Sequence, residues 1–338
     1  MSEACSKGFS IKLDRFANLC LKEGEAFLKT GSQEALDYLF ISHAHFDHLS
    51  KSDAGKAWAV CSEETLLLST LRGLEVRRAE PNPFTLFDSG HILGSKALLV
   101  ETDGGGVLYT GDVNTSPVEA IPRQRFPRVH TLIIESNYGR PSLVFPPRRQ
   151  LIREIVDYVS ETVRRGRPMV LMGYPLGKSQ HLQMILDPVL HGVVETYVSP
   201  SIAGYNNVYR LFSTGIGGKK VFTPQSQGLP DGSWVLYYPN VSGRNAFMQL
   251  IKRKHDAVFI GFSGRSLFNW YGEALGVDKA FPLSDHADFN GLMEIVRETC
   301  PEKVFTVHGF PEEFSRELRR LGYDSHPMRS SVEASFRL

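Results

Sequence analysis

Residues 43–48 read His43-Ala44-His45-Phe46-Asp47-His48 and place three imidazoles and a carboxylate within six positions. They follow the short apolar run Asp37–Ile41, which predicts a buried strand, so these side chains leave the sheet where the strand ends. Imidazole nitrogens and carboxylate oxygens suit Zn²⁺ or a similar divalent ion such as Mn²⁺. A single histidine is more often structural, but this spacing predicts a metal site. A loop that turns alternate side chains to two sides can serve two adjacent ions.

Two further candidate ligands stand in similar positions. His91 lies in Ser89–Ser95 and Asp112 in Thr110–Asn114, and each follows a short apolar segment. Six of the 11 histidines fall in such strand-end loops: His43, His45, His48, His91, His286 and His308. We therefore expect these residues to converge at one edge of a sheet.

Strand-like and helical stretches alternate along the chain. Ala97–Glu101 and Val107–Thr110 flank a glycine-rich turn and predict a hairpin. Leu132–Ile134 predicts a buried strand that ends at Glu135. Further along, the pattern predicts a helix over Gln150–Arg165, a strand over Pro168–Met172, a helix over Gly291–Thr299 and a strand over Lys303–Val307. This alternation is typical of an α/β protein.

Length and composition are those of a globular protein. The 338 residues are 42% hydrophobic and 22% charged, which excludes collagen, coiled coil and disorder. No apolar run approaches the roughly 20 residues that span a bilayer, and no signal peptide is visible. The cysteines Cys5, Cys20, Cys61 and Cys300 are far apart and form no C-x-x-C pair. We therefore expect a reduced cytoplasmic chain without a membrane partner or a cysteine-rich zinc site.

Charge is distributed unevenly along the chain. Between Pro141 and Trp270 there are 15 Lys and Arg and 7 Asp and Glu, a balance of +8, whereas the remainder carries 23 basic and 30 acidic residues, a balance of −7. Any one basic cluster, such as Lys252-Arg253-Lys254, is readily explained as a solvated helix face. The asymmetry of the whole segment favours a polyanion-binding lobe on a metal-binding body.

The order of these motifs resembles that of a known superfamily. His-x-His-x-Asp-His, then Gly90-His91, then Gly111-Asp112 is similar to the successive motifs of the metallo-β-lactamase superfamily. Three later segments resemble motifs A, B and C of its β-CASP nucleases: Leu132–Gly139 with Glu135, Ser284–Asp288 with His286, and Thr306–Gly309 with His308. The resemblance extends over nearly the whole chain and is closest to the DNA-ligase-associated exonucleases and the related proteins labelled mRNA 3′-end processing factors.

The resemblance implies roles for named residues. One metal ion would be held by His43, His45 and His91. A second would be held by Asp47, His48 and His308, with Asp112 bridging the two. The ions would be Zn²⁺, with Mn²⁺ as the alternative, and two ions about 3.5–4 Å apart activate water and neutralise a phosphate.

The resemblance also implies a proton donor. His286 would protonate the leaving oxygen, and Glu135 would hold its imidazole in the correct tautomer. Asp47 would also orient the nucleophilic water. One departure concerns the acid that usually orders the histidine loop, because the expected stretch Ala26–Gly31 contains none. Asp14 is the nearest replacement.

Gly173-Tyr174-Pro175-Leu176-Gly177-Lys178-Ser179 looks like a P-loop but has three residues, not four, before Gly-Lys-Ser, which excludes a Walker A motif. It resembles the Tyr-x-x-Gly-Lys segment of the ligase-associated exonucleases. Gly177, Lys178 and Ser179 would then cradle a phosphate at a helix start. The alternative is a plain strand-to-helix turn.

The expected fold is a four-layer αβ/βα metallo-β-lactamase body with an inserted small α/β cap. Residues 1–140 and 271–338 would form the body and residues 141–270 the basic β-CASP-like cap, with the active site in the cleft between them. The expected function is a DNA exonuclease in repair or end processing, associated with a DNA ligase or helicase. An RNA endonuclease or exonuclease is the alternative. A small-molecule hydrolase, such as a lactonase or glyoxalase, and an inactive nucleic-acid-binding relative are more remote.

Overall fold

A computed structural model describes residues 9–13, 18–23, 37–49, 55, 57–102, 104–116, 120–223, 228–242 and 245–328. The described chain forms two compact units. Unit 1 comprises the residues up to Val144 together with those from His286 onward, and unit 2 comprises Phe145–Asp285. Asp14 and the stretch 26–31 lie outside the described residues.

The strands are numbered in chain order. They are β1 Phe9–Leu13, β2 Leu19–Glu23, β3 Tyr38–Phe40, β4 Trp58–Val60, β5 Arg77–Arg78, β6 Thr85–Asp88, β7 Lys96–Val100, β8 Val107–Tyr109, β9 Thr131–Glu135, β10 Met169–Gly173, β11 Glu195–Val198, β12 Lys220–Val221, β13 Trp234–Pro239, β14 Val258–Phe262, β15 Lys279–Phe281, β16 Lys303–Val307 and β17 Asp324–Pro327.

The α-helices are numbered in the same way. They are α1 Glu63–Leu71, α2 Arg148–Arg164, α3 Lys178–Leu190, α4 Pro200–Leu211, α5 Ala246–His255, α6 Trp270–Leu275, α7 Phe289–Thr299 and α8 Pro311–Arg320. In the described part of the chain, no helix has both the length and the apolar character needed to cross a bilayer.

Unit 1 is built from two sheets that pack face to face. One sheet has the order β1-β2-β3-β4-β5, and the other has the order β17-β16-β9-β8-β7-β6. Side chains from both, including Phe40 and Val60 of the first and Tyr109 and Ile133 of the second, share one buried core. The alternation of side chains along each strand gives each sheet a second apolar face, which a helical layer covers.

The outer faces of unit 1 complete four layers. Leu66 of α1 packs on the core formed by the outer face of the first sheet. On the second sheet, Leu292 and Val296 of α7 and Phe314 and Leu318 of α8 pack against strand residues such as Leu132. The predicted helix over Gly291–Thr299 is confirmed as α7. Its buried residues Leu292, Ile295 and Val296 are three and four positions apart, so they share one helix face.

Unit 2 is a single parallel sheet with helices on both faces. Its strand order is β12-β11-β13-β10-β14-β15, and all of its pairings are parallel. One face packs against α2, α3 and α4, and the other packs against α5. Its strands read as continuous apolar runs because both faces are buried.

The end of unit 2 differs from the predicted boundary at residue 270. Lys279–Phe281 pairs with β14 as the edge strand of this sheet, and the chain enters unit 1 at His286. The physical reason is that Phe281 and Leu283 are buried in the core of unit 2.

Candidate metal centre and active site

Three strand ends of unit 1 bring the predicted site residues to one edge. The parallel strands β8, β9 and β16 lie side by side, with Tyr109 opposite Ile133 and Val307 opposite Glu135. Their carboxyl ends therefore deliver Asp112, Glu135 and His308 to the same place. The end of β3 joins them, because the carbonyl of Ser42 accepts the N–H of Lys96 at the start of β7, 2.9 Å away.

Gly111 permits the close approach of the loop after β8 to the segment after β3. Gly111 has a φ of 54°, and a Cβ at this position would lie 2.5 Å from Cβ of Ser42. Glycine has no Cβ and adopts positive φ readily, so the loop that carries Asp112 can lie against the segment that carries His43.

The first predicted metal site is assembled. His43, His45, His91 and Asp112 place one donor atom each within 4.8 Å of one another. Nδ1 of His45 lies 3.1 Å from Nε2 of both His43 and His91. Oδ2 of Asp112 lies 3.5 Å from Nε2 of His43 and 3.6 Å from Nε2 of His91. Tetrahedral zinc with bonds of about 2.0–2.1 Å separates its ligand atoms by about 3.3 Å, so the spacing fits such an ion.

Neighbouring hydroxyls orient the ligands. The Ser42 hydroxyl lies 3.0 Å from Nδ1 of His43 and 3.4 Å from Nδ1 of His48. This contact leaves Nε2 of each ring directed at Asp112. The Ser95 hydroxyl accepts the backbone N–H of His91 at 3.1 Å. Hydrogen bonds to the outer nitrogen of a ligating imidazole fix its tautomer and orientation. Ser42 was missed in the sequence, although it immediately precedes the motif.

The second predicted site is only partly assembled. Nε2 of His48 lies 3.5 Å from Oδ2 of Asp112, and the rings of His48 and His308 have centroids 5.5 Å apart. Asp47 stands in a short 3₁₀ turn, is exposed, and belongs to neither close ligand group found among the described residues. The role of Asp47 as a ligand and as orienter of water stays a prediction.

Two buried atoms test whether the site suits a cation. Oδ1 of Asp112 and Nε2 of His308 are buried and have no hydrogen-bond partner among the described residues. A buried polar atom without a partner is unfavourable by about 1–3 kcal/mol, so such atoms are expected to bind a water or an ion. A carboxylate oxygen and an imidazole nitrogen, both lone-pair donors, fit a divalent cation.

Burial and charge set the protonation states. Burial lowers the pKa of His43 well below its usual value, and the neighbouring His48 lowers it further. Burial alone would raise the pKa of Asp112, but the imidazoles of His48 and His286 hold it well below the usual range. Burial also lowers the pKa of His308. A neutral imidazole and an ionised carboxylate are the forms that bind metal.

His286 and Glu135 form a pair beside the ligands. Nδ1 of His286 lies 3.1 Å and 3.2 Å from the two carboxylate oxygens of Glu135, and 3.9 Å from Oδ2 of Asp112. Glu135 is fully buried, whereas His286 is 24% exposed. The carboxylate also accepts the Val113 N–H at 2.7 Å and the Asn137 amide at 2.6 Å. The predicted orienting partner of His286 is thus in contact with it, and its own position is fixed by two further donors.

His308 is held in an unusual backbone conformation. It has a φ of 59°, and the following Gly309 has the same value. The Ser136 hydroxyl donates to the carbonyl of Val307 at 2.8 Å. A Cβ on Gly309 would lie 2.3 Å from Cα of Asn137, so this glycine lets the His308 loop pack on the loop that carries Glu135.

We expect Gly309→Ala to lower the free energy of unfolding by about 3 kcal/mol or more, because the methyl group must displace backbone as well as tolerate positive φ. Gly322→Ala is the matched control, since Gly322 also has positive φ, 92°, but open space around its Cβ position. Thermal and urea unfolding measure the loss of stability in both variants. Equal losses in the two variants would contradict the close approach at Gly309.

The Gly177–Ser179 loop corrects the prediction of a phosphate cradle. The backbone N–H and the hydroxyl of Ser179 both donate to the carbonyl of Tyr174, and the Gly177 N–H donates to the side chain of Gln180. The Lys178 ammonium is buried against Asp285 at 2.5 Å. These donors are therefore engaged within unit 2. The physical reason is that the carboxylate of Asp285 draws the lysine into the interior.

Comparisons with known proteins identify relatives of this chain. The family described as the Zn-dependent metallo-hydrolase RNA specificity domain matches residues 279–326, which include His286 and His308. A probable DNA ligase of Opitutus terrae is 31% identical over 85% of this chain, which spans 28% of that protein. An RNase J-like protein of Methanocaldococcus jannaschii is 24% identical, with 82% of each chain covered. RNase aCSPSF2 of Saccharolobus solfataricus is 24% identical over 90% of this chain and 75% of its own length.

A solved structure shares the fold. A protein of unknown function from Enterococcus faecalis superimposes with a TM-score of 0.60 over 93% of this chain and 83% of its own, at 15% identity. The four layers of unit 1, the inserted parallel α/β unit and the relatives together confirm the expected fold. The chain belongs to the β-CASP branch of the metallo-β-lactamase family.

Proposed function

We propose that this protein is a metal-dependent nuclease that hydrolyses phosphodiester bonds, with DNA as its substrate and exonucleolytic action in repair or end processing. The observation that carries this proposal is the juxtaposition of a metal-ligand cluster with a proton donor. His43, His45, His91 and Asp112 group their donor atoms, and His286 lies 3.9 Å from the same Asp112 oxygen. Hydrolysis of a phosphodiester needs a water nucleophile on one side of phosphorus and a protonated leaving oxygen on the other.

His43, His45 and His91 would hold one divalent ion, and His48, His308 and Asp47 a second, with Asp112 between them. Bound there, such ions lower the pKa of water and neutralise charge on the phosphate. We propose Zn²⁺ as the resident ion, with Mn²⁺ as the alternative. Oδ1 of Asp112 and Nε2 of His308, which have no hydrogen-bond partner in the part of the chain that the structure describes, support this donor set.

Hydrolysis requires two proton transfers, one from the attacking water and one to the leaving oxygen, and different residues of this chain would carry them out. As the water oxygen bonds to phosphorus, the bond from phosphorus to the leaving oxygen breaks, and His286 gives its proton to that oxygen. The proton lost by the water passes to Asp47 or to solvent. Glu135 holds the His286 ring through Nδ1, which presents the other ring nitrogen to the substrate. Val113 and Asn137 keep the Glu135 carboxylate in place.

Charge and similarity favour a nucleic-acid substrate over a lactone or thioester. Unit 2 carries 16 Lys and Arg against 10 Asp and Glu, a balance of +6, and a basic surface attracts a polyanion. DNA is favoured because the relative from Opitutus terrae is a probable DNA ligase that extends well beyond the matched region. On the same ground we propose that the nuclease works alongside a DNA ligase, in the cytoplasm.

RNA is the second candidate substrate. The observation that favours it is the name of the matched family, which specifies RNA, together with relatives described as RNases. Both substrates present the same phosphodiester to the metal cluster, so the choice depends on the sugar and on strand binding.

Cleavage assays on matched single-stranded DNA and RNA oligonucleotides distinguish DNA from RNA as the substrate. We expect protein loaded with Zn²⁺ or Mn²⁺ to shorten 5′- and 3′-labelled DNA progressively from one end, and faster than RNA of the same sequence. His286→Ala is the control for contaminating nucleases. Faster cleavage of RNA would assign RNA as the substrate, and cleavage of neither polymer would refute the nuclease proposal.

A further inference from the structure

An exposed aromatic side chain lies in the metal-binding loop of unit 1. Phe46 stands between His45 and Asp47 and is 63% exposed. The buried apolar positions of the same segment are held by Ala44 and Leu49, which are 0% and 5% exposed. The loop therefore has its apolar contacts without Phe46, and burial does not explain a phenylalanine at this position.

A cation covers one face of this ring. Cζ of the Arg72 guanidinium lies 4.0 Å from the centroid of the Phe46 ring, a face-on contact that the negative face of the ring favours. Arg72 directly follows α1, the helix that packs on the first sheet, so the guanidinium stands on a fixed element. Because one face is covered and the side chain is still largely exposed, the opposite face of the ring is open to solvent.

The open ring lies beside the candidate metal centre. Cα of Phe46 is one peptide unit, about 3.8 Å, from Cα of His45. Nδ1 of His45 lies 3.1 Å from Nε2 of both His43 and His91, within the ligand cluster. A phosphodiester held at that cluster carries a nucleotide on each side of phosphorus, which brings a flanking base within reach of the ring.

The chemistry of this pair suits a nucleobase. Every base has a flat π face, and aromatic side chains bind single strands by stacking on such faces, often with a contribution from arginine. Isolated apolar side chains are common on protein surfaces. Phe46 differs from them because it stands between two predicted metal ligands and has Arg72 behind its ring.

We propose that Phe46 is a substrate-binding residue whose open ring face stacks on a base next to the scissile phosphate, with Arg72 supporting the other face. The proposal rests on the proposed function, in which the metal centre hydrolyses a phosphodiester. It adds a contact to the base, whereas the metal ligands and His286 act on the phosphodiester itself. It predicts that efficient hydrolysis requires a base at the flanking nucleotide and depends little on which base is there.

The test compares strands with and without that base. Single-stranded oligonucleotides of the polymer that is cleaved faster carry either normal bases or abasic sugars at the two terminal nucleotides of each end. We expect the unaltered protein to have a kcat/KM about 10-fold higher on the intact strand. Phe46→Ala should lower kcat/KM about 10-fold on the intact strand and hardly at all on the abasic strand, so that the ratio falls to about 1.

Trp58→Ala is the matched control. Trp58 is also exposed and also has a guanidinium, that of Arg77, over its ring, 5.0 Å from the centroid. It lies at the start of β4 opposite Tyr38 at the start of β3, whereas the metal-binding loop follows the end of β3. We expect Trp58→Ala to keep the ratio of the unaltered protein.

Two further variants separate stacking from apolar bulk. Phe46→Trp keeps a π face and should keep the ratio, whereas Phe46→Leu keeps apolar bulk without a π face and should lose most of it. Metal content and melting temperature of all three Phe46 variants should equal those of the unaltered protein, because the side chain is exposed.

The possible failures are distinguishable. If the unaltered protein cleaves neither DNA nor RNA, the proposed function fails, and the ratio of Kd values for the two strands on metal-loaded protein, from fluorescence anisotropy, then tests stacking alone. An unchanged ratio in Phe46→Ala or Phe46→Leu, or a ratio near 1 in the unaltered protein, would overturn the inference. Loss of metal from both variants would assign Phe46 to the structure of the loop and would also overturn it.

Discussion

Asp112→Asn is expected to lower nuclease kcat by about 10³-fold and to reduce the metal content of the purified protein. Oδ2 of Asp112 lies 3.5 or 3.6 Å from Nε2 of His43, His48 and His91, so one carboxylate serves three imidazoles. Asparagine keeps the shape but removes the charge that balances the cation. A loss of about 4 kcal/mol of transition-state stabilisation corresponds to that factor.

Elemental analysis and oligonucleotide cleavage measure this effect on the same sample. Asp324→Asn is the control, because Asp324 is also in unit 1 but is exposed at β17 and pairs only with the exposed His326 among the contacts described. It should leave both quantities unchanged. Full metal content together with full activity in Asp112→Asn would show that the cluster is not the metal centre.

Glu135→Gln is expected to lower kcat about 10²-fold while the melting temperature changes little. The carboxylate offers two oxygens, which now serve Val113, Asn137 and His286. Oε1 accepts the Val113 N–H and contacts Nδ1 of His286, whereas Oε2 accepts the Asn137 amide. Glutamine replaces one of these oxygens with an NH₂ group and removes the negative charge that faces the His286 imidazole. Glu135→Ala should in addition lower the free energy of unfolding by about 1–3 kcal/mol, because buried donors lose their acceptor.

The matched control is Glu298→Gln. Glu298 is also largely buried and also accepts a backbone N–H, that of Phe126, along with the Arg123 guanidinium. We expect a loss of stability from Glu298→Gln with unchanged kcat. If Glu135→Gln retained full kcat, the orienting role of Glu135 would be refuted.

The sequence predicted the ligand cluster because its signals are local. A short apolar run that ends just before His43, or just before Asp112, indicates where a strand ends. It also indicates which side chain lies at that end of the strand. Carboxyl ends of neighbouring parallel strands then coincide by geometry, which brings Glu135 beside His308 without any further information.

The sequence misplaced two features, the environment of Lys178 and the end of unit 2. Both depend on contacts between residues that are far apart in the chain. Lys178 in a glycine turn at a helix start has the local pattern of a phosphate ligand, but its partner Asp285 is 107 residues away. Pattern alone does not reveal that the lysine is buried. The boundary near residue 270 was placed too early for the same reason, since pairing of Lys279–Phe281 with β14 is a long-range property.

The central claim is that the imidazole and carboxylate cluster of unit 1 is a metal centre that breaks phosphodiester bonds. Titration of metal-free protein with Zn²⁺, and separately with Mn²⁺, tests it most directly when hydrolysis of labelled single-stranded DNA and RNA is followed at each point. The account predicts negligible hydrolysis without metal and a rise that saturates with bound metal. Hydrolysis that is independent of metal, or none of either polymer at full metal occupancy, would contradict it.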